Sequence, residues 1–345
     1  MMFAKKWSFF KIVMVIFVLL SFPGDTAIYL PILSFEKFVV YDSNNEVICA
    51  YDYKDLNYEN YSFSKQKWTA LPVFFNKKYQ SGCFEKNERA TKAQSYAEAL
   101  GFSTEKVKII YNDELKTVLK YDSNKICIYD DGCLDIQFDP PVLIPTNFIF
   151  SRWNIDLKKA KKTFPYLKEM YAAIIRQTTP EENYYIWYRQ DGVRGTLFEF
   201  FEKGSSNLEQ LINFQFNKST FYPDSENQLV SISKRSPECL EYIGQYPIIS
   251  SEQAQTMLMN GKYFSITSLH KFEKPVSIKE EMIKDVIITY WPFQESDTLI
   301  MPFYRFCIEF PDYKQDNGLN RYSYFYVLAI QPEYISDDSI WWNEF

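Results

Sequence analysis

The sequence predicts an α+β protein of tandem modules, each one helix packed on an antiparallel β-sheet, behind an N-terminal signal or anchor segment. Three observations predict it. Helical periodicity followed by strand-like runs occurs three times along the chain. The 345 residues are rich in strand-forming aromatics (30 Phe, 27 Tyr, 7 Trp) and poor in glycine, with 10. A basic and then apolar stretch opens the chain.

At the amino terminus Lys5, Lys6 and Lys11 precede an uncharged run, residues 12–22, which Pro23, Gly24 and Asp25 then break. A helix over that run covers about 16 Å of a hydrocarbon core about 30 Å thick. Residues 1–27 therefore read as a signal peptide, with a short membrane anchor as the alternative. Either one places the body outside the membrane, secreted or N-terminally anchored, with membrane association only through this segment.

The first module spans residues 28–145. Short aromatic segments at 38–41 and 47–53 read weakly as strands. Ala90, Ala93, Ala97 and Leu100 then fall on one helical face, with Gly101 as the stop. Strand-like runs follow at 107–111, 117–121, 125–130 and 133–138, and Asp131-Gly132 reads as a two-residue hairpin turn. Pro140, Pro141 and Pro145 suggest a boundary.

The second module spans 146–240. After Pro165, residues Leu167, Met170, Tyr171, Ile174 and Ile175 recur at helical spacing. Runs at 183–189, 195–201, 208–216 and 228–233 read as strands. The third module, 241–345, opens on the clearest local code in the chain. Ser250 and Gln253 stand at capping-box positions, Ala254, Met257 and Leu258 share one face, and Gly261 closes the helix. Strands are expected at 285–291, 299–310 and 322–330.

Composition excludes several kinds of chemistry. A charge of −6 opposes nucleic-acid binding, which needs basic patches. Few glycines argue against phosphate-cradling loops, so no cofactor is assigned. The single histidine, His270, removes His-based metal sites and leaves triad chemistry one candidate, without a Gly-x-Ser-x-Gly elbow to support it. No catalytic or metal residue is assigned, and the acidic pairs Asp130-Asp131, Glu280-Glu281 and Asp337-Asp338 read as solvated surface.

The six cysteines contain no C-x-x-C pair. A two-residue hairpin turn would set Cys127 opposite Ile136, sending the Cys127 and Cys133 sulfurs to opposite faces as separate thiols. Cys239 with Cys307 is the candidate disulfide. The candidate binding surface consists of aromatics and a strand proline: Trp187, Tyr290, Trp291, Pro302 and Tyr304. Half of each aromatic cluster is expected to be core, and Pro302 inside its strand marks an edge or bulge where a partner strand could add.

Residues 246–330 carry an Ile-Ile-Ser-x-Glu-x-Ala helix (248–254) ending in Gly, a strand with paired aromatics (286–291), a Pro-x-Tyr-x-Phe strand (302–306) and a last strand running into Ala-Ile (322–330). This pattern resembles the C-terminal region of the YycI and YycH regulators of Gram-positive bacteria, and more loosely PepSY-like helix-on-sheet modules. The resemblance implies a non-catalytic extracytoplasmic partner of a membrane protein such as a sensor histidine kinase, in a two-component system. It carries over no site residue. The expectation is thus an exported binding protein with a regulatory or sensory role. A cell-wall glycan or carbohydrate binder and a carboxylate-based hydrolase are the alternatives.

Overall fold

The computed structural model describes residues 30–33, 48–56, 61–77, 83–189, 191–265, 277–290, 299–311 and 317–336. In chain order, β1 (Ile48–Ala50) and β2 (Ala70–Asn76) precede α1 (Lys86–Ala99). Helix α1 starts where Glu88 accepts a hydrogen bond from the Glu85 amide at 3.1 Å, and stops at Gly101 with φ +75°. An antiparallel meander follows: β3 (Lys108–Asn112), β4 (Lys116–Tyr121), β5 (Asn124–Tyr129) and β6 (Leu134–Leu143).

A short α2 (Leu157–Ala160) comes first, and the helix expected after Pro165 is two pieces, α3 (Thr163–Met170) and α4 (Ala172–Ile175). It breaks at Tyr171, where φ is −117°. Leu167, Tyr171, Ile174 and Ile175 are buried as their spacing predicts, whereas Met170, off the face that Phe164, Leu167 and Tyr171 share, is 59% exposed. After β7 (Pro180–Tyr188) and β8 (Arg194–Glu202), the run expected as a strand at 208–216 is α5 (Asn207–Phe216). Its code is a cap: the Ser206 hydroxyl accepts from the Glu209 amide, and Leu211 and Phe214 are buried one turn apart.

The chain continues through β9 (Lys218–Pro223), β10 (Gln228–Lys234) and β11 (Leu240–Pro247). Helix α6 (Ser251–Met259) has both halves of its capping box formed, between Ser250 and Gln253. Then come β12 (Phe264–Ser265), β13 (Ile283–Tyr290), β14 (Leu299–Ile300), β15 (Pro302–Glu309) and β16 (Asn320–Leu328).

These strands make three sheets. The largest runs β3-β4-β5-β6-β10-β9-β8-β7. The first two expected modules therefore share one sheet, joined where β6 pairs with β10, and the boundary expected after residue 145 does not separate sheets. A second sheet runs β1-β16-β15-β13 with β12 beside β16, and β11-β2-β14 form the third. Residues 32–345 fall in one unit.

Helices α1 to α4 cover one face of the eight-stranded sheet. Ala93 and Ala97 of α1, with Phe164, Leu167 and Ile174, pack on Ile126, Ile136, Phe198, Phe200, Phe221 and Ile232. The other face is polar and aromatic. Asn183, Glu199 and Thr220 lie abreast on β7, β8 and β9. Glu199 accepts from Asn183 at 2.8 Å and Thr220 at 3.3 Å, and pairs with Lys218 at 3.0 Å. Burial holds the Lys218 ammonium below its ordinary pKa, partly offset by Glu199.

The β5–β6 hairpin corrects the expected register. The Gly132 amide donates to Tyr129 and Gly132 has φ +80°, so the loop has three residues and Cys127 stands opposite Asp135. Cys127 thus shares a face with Tyr129 and Asp135, and Cys127 and Cys133 are both free thiols. The disulfide links Cys83 to Cys239, not Cys239 to Cys307; Cys307 is a buried free thiol in β15. Asp130, expected on a solvated surface, is buried, and its carbonyl accepts from the Cys83 amide.

One buried charge organises the first helix. Arg89 is 2% exposed and donates to the Phe84 carbonyl at 2.7 Å, to the Asp113 carbonyl and to the Thr117 hydroxyl at 3.3 Å. Strand β3, which it helps to hold, is one edge of the large sheet among the described residues, with Ile109, Ile110 and Tyr111 about half exposed and a bulge between Ile109 and Tyr111.

Replacing Arg89 with Met strands these acceptors, and an unfolding free energy lower by about 3 kcal/mol is expected from urea titration. An unchanged midpoint would mean that the acceptors find other donors. Stability also depends on alkali. Burial lowers the Lys234 ammonium from 10.5 to about 8, so its contribution grows as pH rises from 8 towards 10.5. Burial pushes Tyr304, Tyr322 and Tyr326 up to about 12, so above pH 10 the unfolded chain loses these protons first and stability falls. Burial also pushes the Cys133 and Cys307 thiols from 9.0 up to about 12, which outweighs the Lys234 gain above pH 9, so urea midpoints are expected to peak near pH 9 and then fall, steeply above pH 10; a flat profile from 9 to 12 would contradict this assignment.

Candidate binding surface

The sequence-predicted surface residues separate on burial. Tyr290 is 1% exposed and its hydroxyl donates to the Pro72 carbonyl at 2.8 Å. Tyr304 is buried and donates to the Ile249 carbonyl at 2.8 Å. Pro302 is buried at the first residue of β15, a central strand between β13 and β16, so the expected edge for strand addition is absent there. A first residue is one of the few sheet positions that tolerate a missing amide proton. Trp291, His270 and the apolar run at 12–22 lie outside the described residues. Trp187 alone of the described candidates stays at the surface, half buried in β7.

A site forms around Trp187 because of a glycine that sequence reasoning passed over. Gly195 in β8 is the cross-strand partner of Trp187 on one side. On the other side, where β9 has ended, it bridges to Trp153. The Thr196 amide donates to the Arg152 carbonyl and the Asn154 amide to the Arg194 carbonyl, both at 2.8 Å, which holds residues 152–154 beside β8. Without a side chain between them the two indoles meet, with ring centroids 5.8 Å apart and an edge-on interplanar angle of 66°. A Cβ on Gly195 would overlap the Trp187 ring.

Two guanidinium groups complete the arrangement. Arg152 lies 5.0 Å from the Trp153 ring and 5.5 Å from the Trp187 ring. Arg189 lies 5.4 Å from Trp153 and pairs with Asp191 at 2.9 Å. Tyr185, two residues before Trp187 on the same face, is 43% exposed with its ring 5.8 Å away. The order of contact is Tyr185, Trp187, Arg152, Trp153, Arg189. Such cation–π contacts contribute about 0.5–1 kcal/mol each at exposed sites.

In the neighbouring sheet Arg305 lies 4.5 Å from the Tyr324 ring. Burial raises the Tyr324 and Tyr326 phenols, Arg305 opposes that rise, and Tyr185 adds to it. The surface thus offers flat apolar rings and fixed N–H donors, a set suited to contact rather than bond-making. Among the described residues no group of three or more His, Cys, Asp or Glu is placed to hold a metal ion, and no helix is long and apolar enough to cross a membrane.

No protein-family model and no curated protein matches this chain. Among solved structures, it is similar to an uncharacterized protein from Eubacterium rectale ATCC 33656 at 9% identity and a TM-score of 0.38, over 76% of this chain and 84% of that one.

A Gly195→Ala variant is expected to keep its far-ultraviolet dichroism while its tryptophan emission shifts to the red, as the Trp187 ring is displaced into water. The overpacking is expected to cost about 1–3 kcal/mol of stability. Unchanged emission would show that the two indoles do not meet over this residue.

Proposed function

We propose that the protein is a non-catalytic binding protein working outside the membrane, and that the surface around Trp153 and Trp187 takes a carbohydrate such as a wall polysaccharide. The observation that carries this reading is the row of half-buried indoles and exposed guanidinium groups built around Gly195. The C–H face of a pyranose packs on an indole, and its hydroxyls accept from guanidinium N–H groups. The extracytoplasmic part draws support from the Cys83–Cys239 link, since such bonds persist in oxidising compartments.

A second reading is the regulatory partner of a membrane sensor kinase. It draws on the order of elements at residues 248–330, where the capped helix α6 packs beside β16 of the five-stranded sheet, next to β15 and β13.

The test is retention on insoluble wall polysaccharide. Tyr185→Ala and Trp153→Ala are each expected to weaken retention about tenfold, equivalent to about 1.4 kcal/mol. Equal retention of both variants would remove the assigned surface. Absence of wild-type retention, with co-purification of a sensor kinase from membranes, would favour the second reading instead.

A further inference from the structure

We infer that this surface selects acidic saccharide chains, those bearing a carboxylate or a phosphate, over neutral ones; the inference rests on the carbohydrate reading above. The carrying residue is Arg152. Its side chain is exposed, its guanidinium touches both indoles, and it makes no ion pair or side-chain hydrogen bond among the described residues. Contact with the rings uses none of the guanidinium hydrogen-bond donors, so its N–H groups remain for another acceptor. That rigid fork matches the paired oxygens of a carboxylate or phosphate.

Neither acidic residue tied to these segments pairs with the Arg152 side chain. Asp191 pairs with Arg189, and the Asp224 carboxylate accepts from the Glu226 and Gln228 amides. A sugar stacked on Trp153 or Trp187 would therefore bring an anionic substituent within reach of one uncompensated cation at Arg152 and one partly compensated cation at Arg189. The chain as a whole carries −6, which opposes indiscriminate polyanion binding.

The test is a fluorescence titration of the full chain with three soluble probes: a neutral N-acetylglucosamine oligomer, a galacturonate oligomer and a glycerol-phosphate oligomer. At least one acidic probe is expected to bind about tenfold more tightly than the neutral one, with an advantage that shrinks as salt is raised. Arg152→Met, which keeps an apolar stem over the rings, is expected to abolish that advantage, weakening the acidic probe about tenfold more than the neutral one. Arg152→Lys is expected to retain part of it. Which acidic probe binds identifies the anion.

Equal wild-type affinity for neutral and acidic probes, or an acidic preference that survives Arg152→Met, would overturn the inference and leave the carbohydrate reading standing. Failure of the wild type to bind any probe would overturn both.

Discussion

The pairing of β6 with β10 is the constraint on which the rest depends, because it turns two runs of four strands into one sheet of eight. Once the strands share a sheet, the two-residue period assigns a face to every side chain. Phe198, Phe200 and Phe221 go to the helices, and Asn183, Tyr185, Trp187 and Glu199 go to the other side. Arg89 and the Cys83–Cys239 link fasten the start of α1 to the first half of that sheet and to the segment leading into β11.

The second face could not be wholly apolar, since part of it meets water. Its solution is graded. Glu199 and Lys218 are buried together, and the carboxylate is satisfied by three partners. A pair of this kind contributes little net stability, but removing one member leaves the other charged and unmatched. Further along, the same face ends in rings and guanidinium groups, which tolerate partial exposure because each has an apolar body and a polar edge.

How much was legible in the sequence follows from how local each signal is. The α6 capping box and the α1 stop depend on a few adjacent residues, and both appear where the sequence places them. The α+β class and most strands of the antiparallel sheets were equally readable. Helix α5 was misread because Leu208 to Phe216 is apolar enough to pass for a strand unless the Ser206–Glu209 cap is weighed. Tyr290, Pro302 and Tyr304 could not be placed by alternation, which divides a strand into two faces but does not say that both are covered. The Trp153–Gly195–Trp187 contact joins residues more than thirty positions apart. The only local hint was a glycine within an aromatic strand, a mark of close approach.

The edge at β3 has a consequence for the protein in concentrated solution. Five residues with half-exposed Ile109, Ile110 and Tyr111 offer a template on which another chain's strand could extend the sheet without limit. The bulge between Ile109 and Tyr111 puts one extra residue into that row, so its amides and carbonyls no longer repeat in step with a straight neighbour. One inserted residue thus works against fibre-like growth from this edge of the eight-stranded sheet.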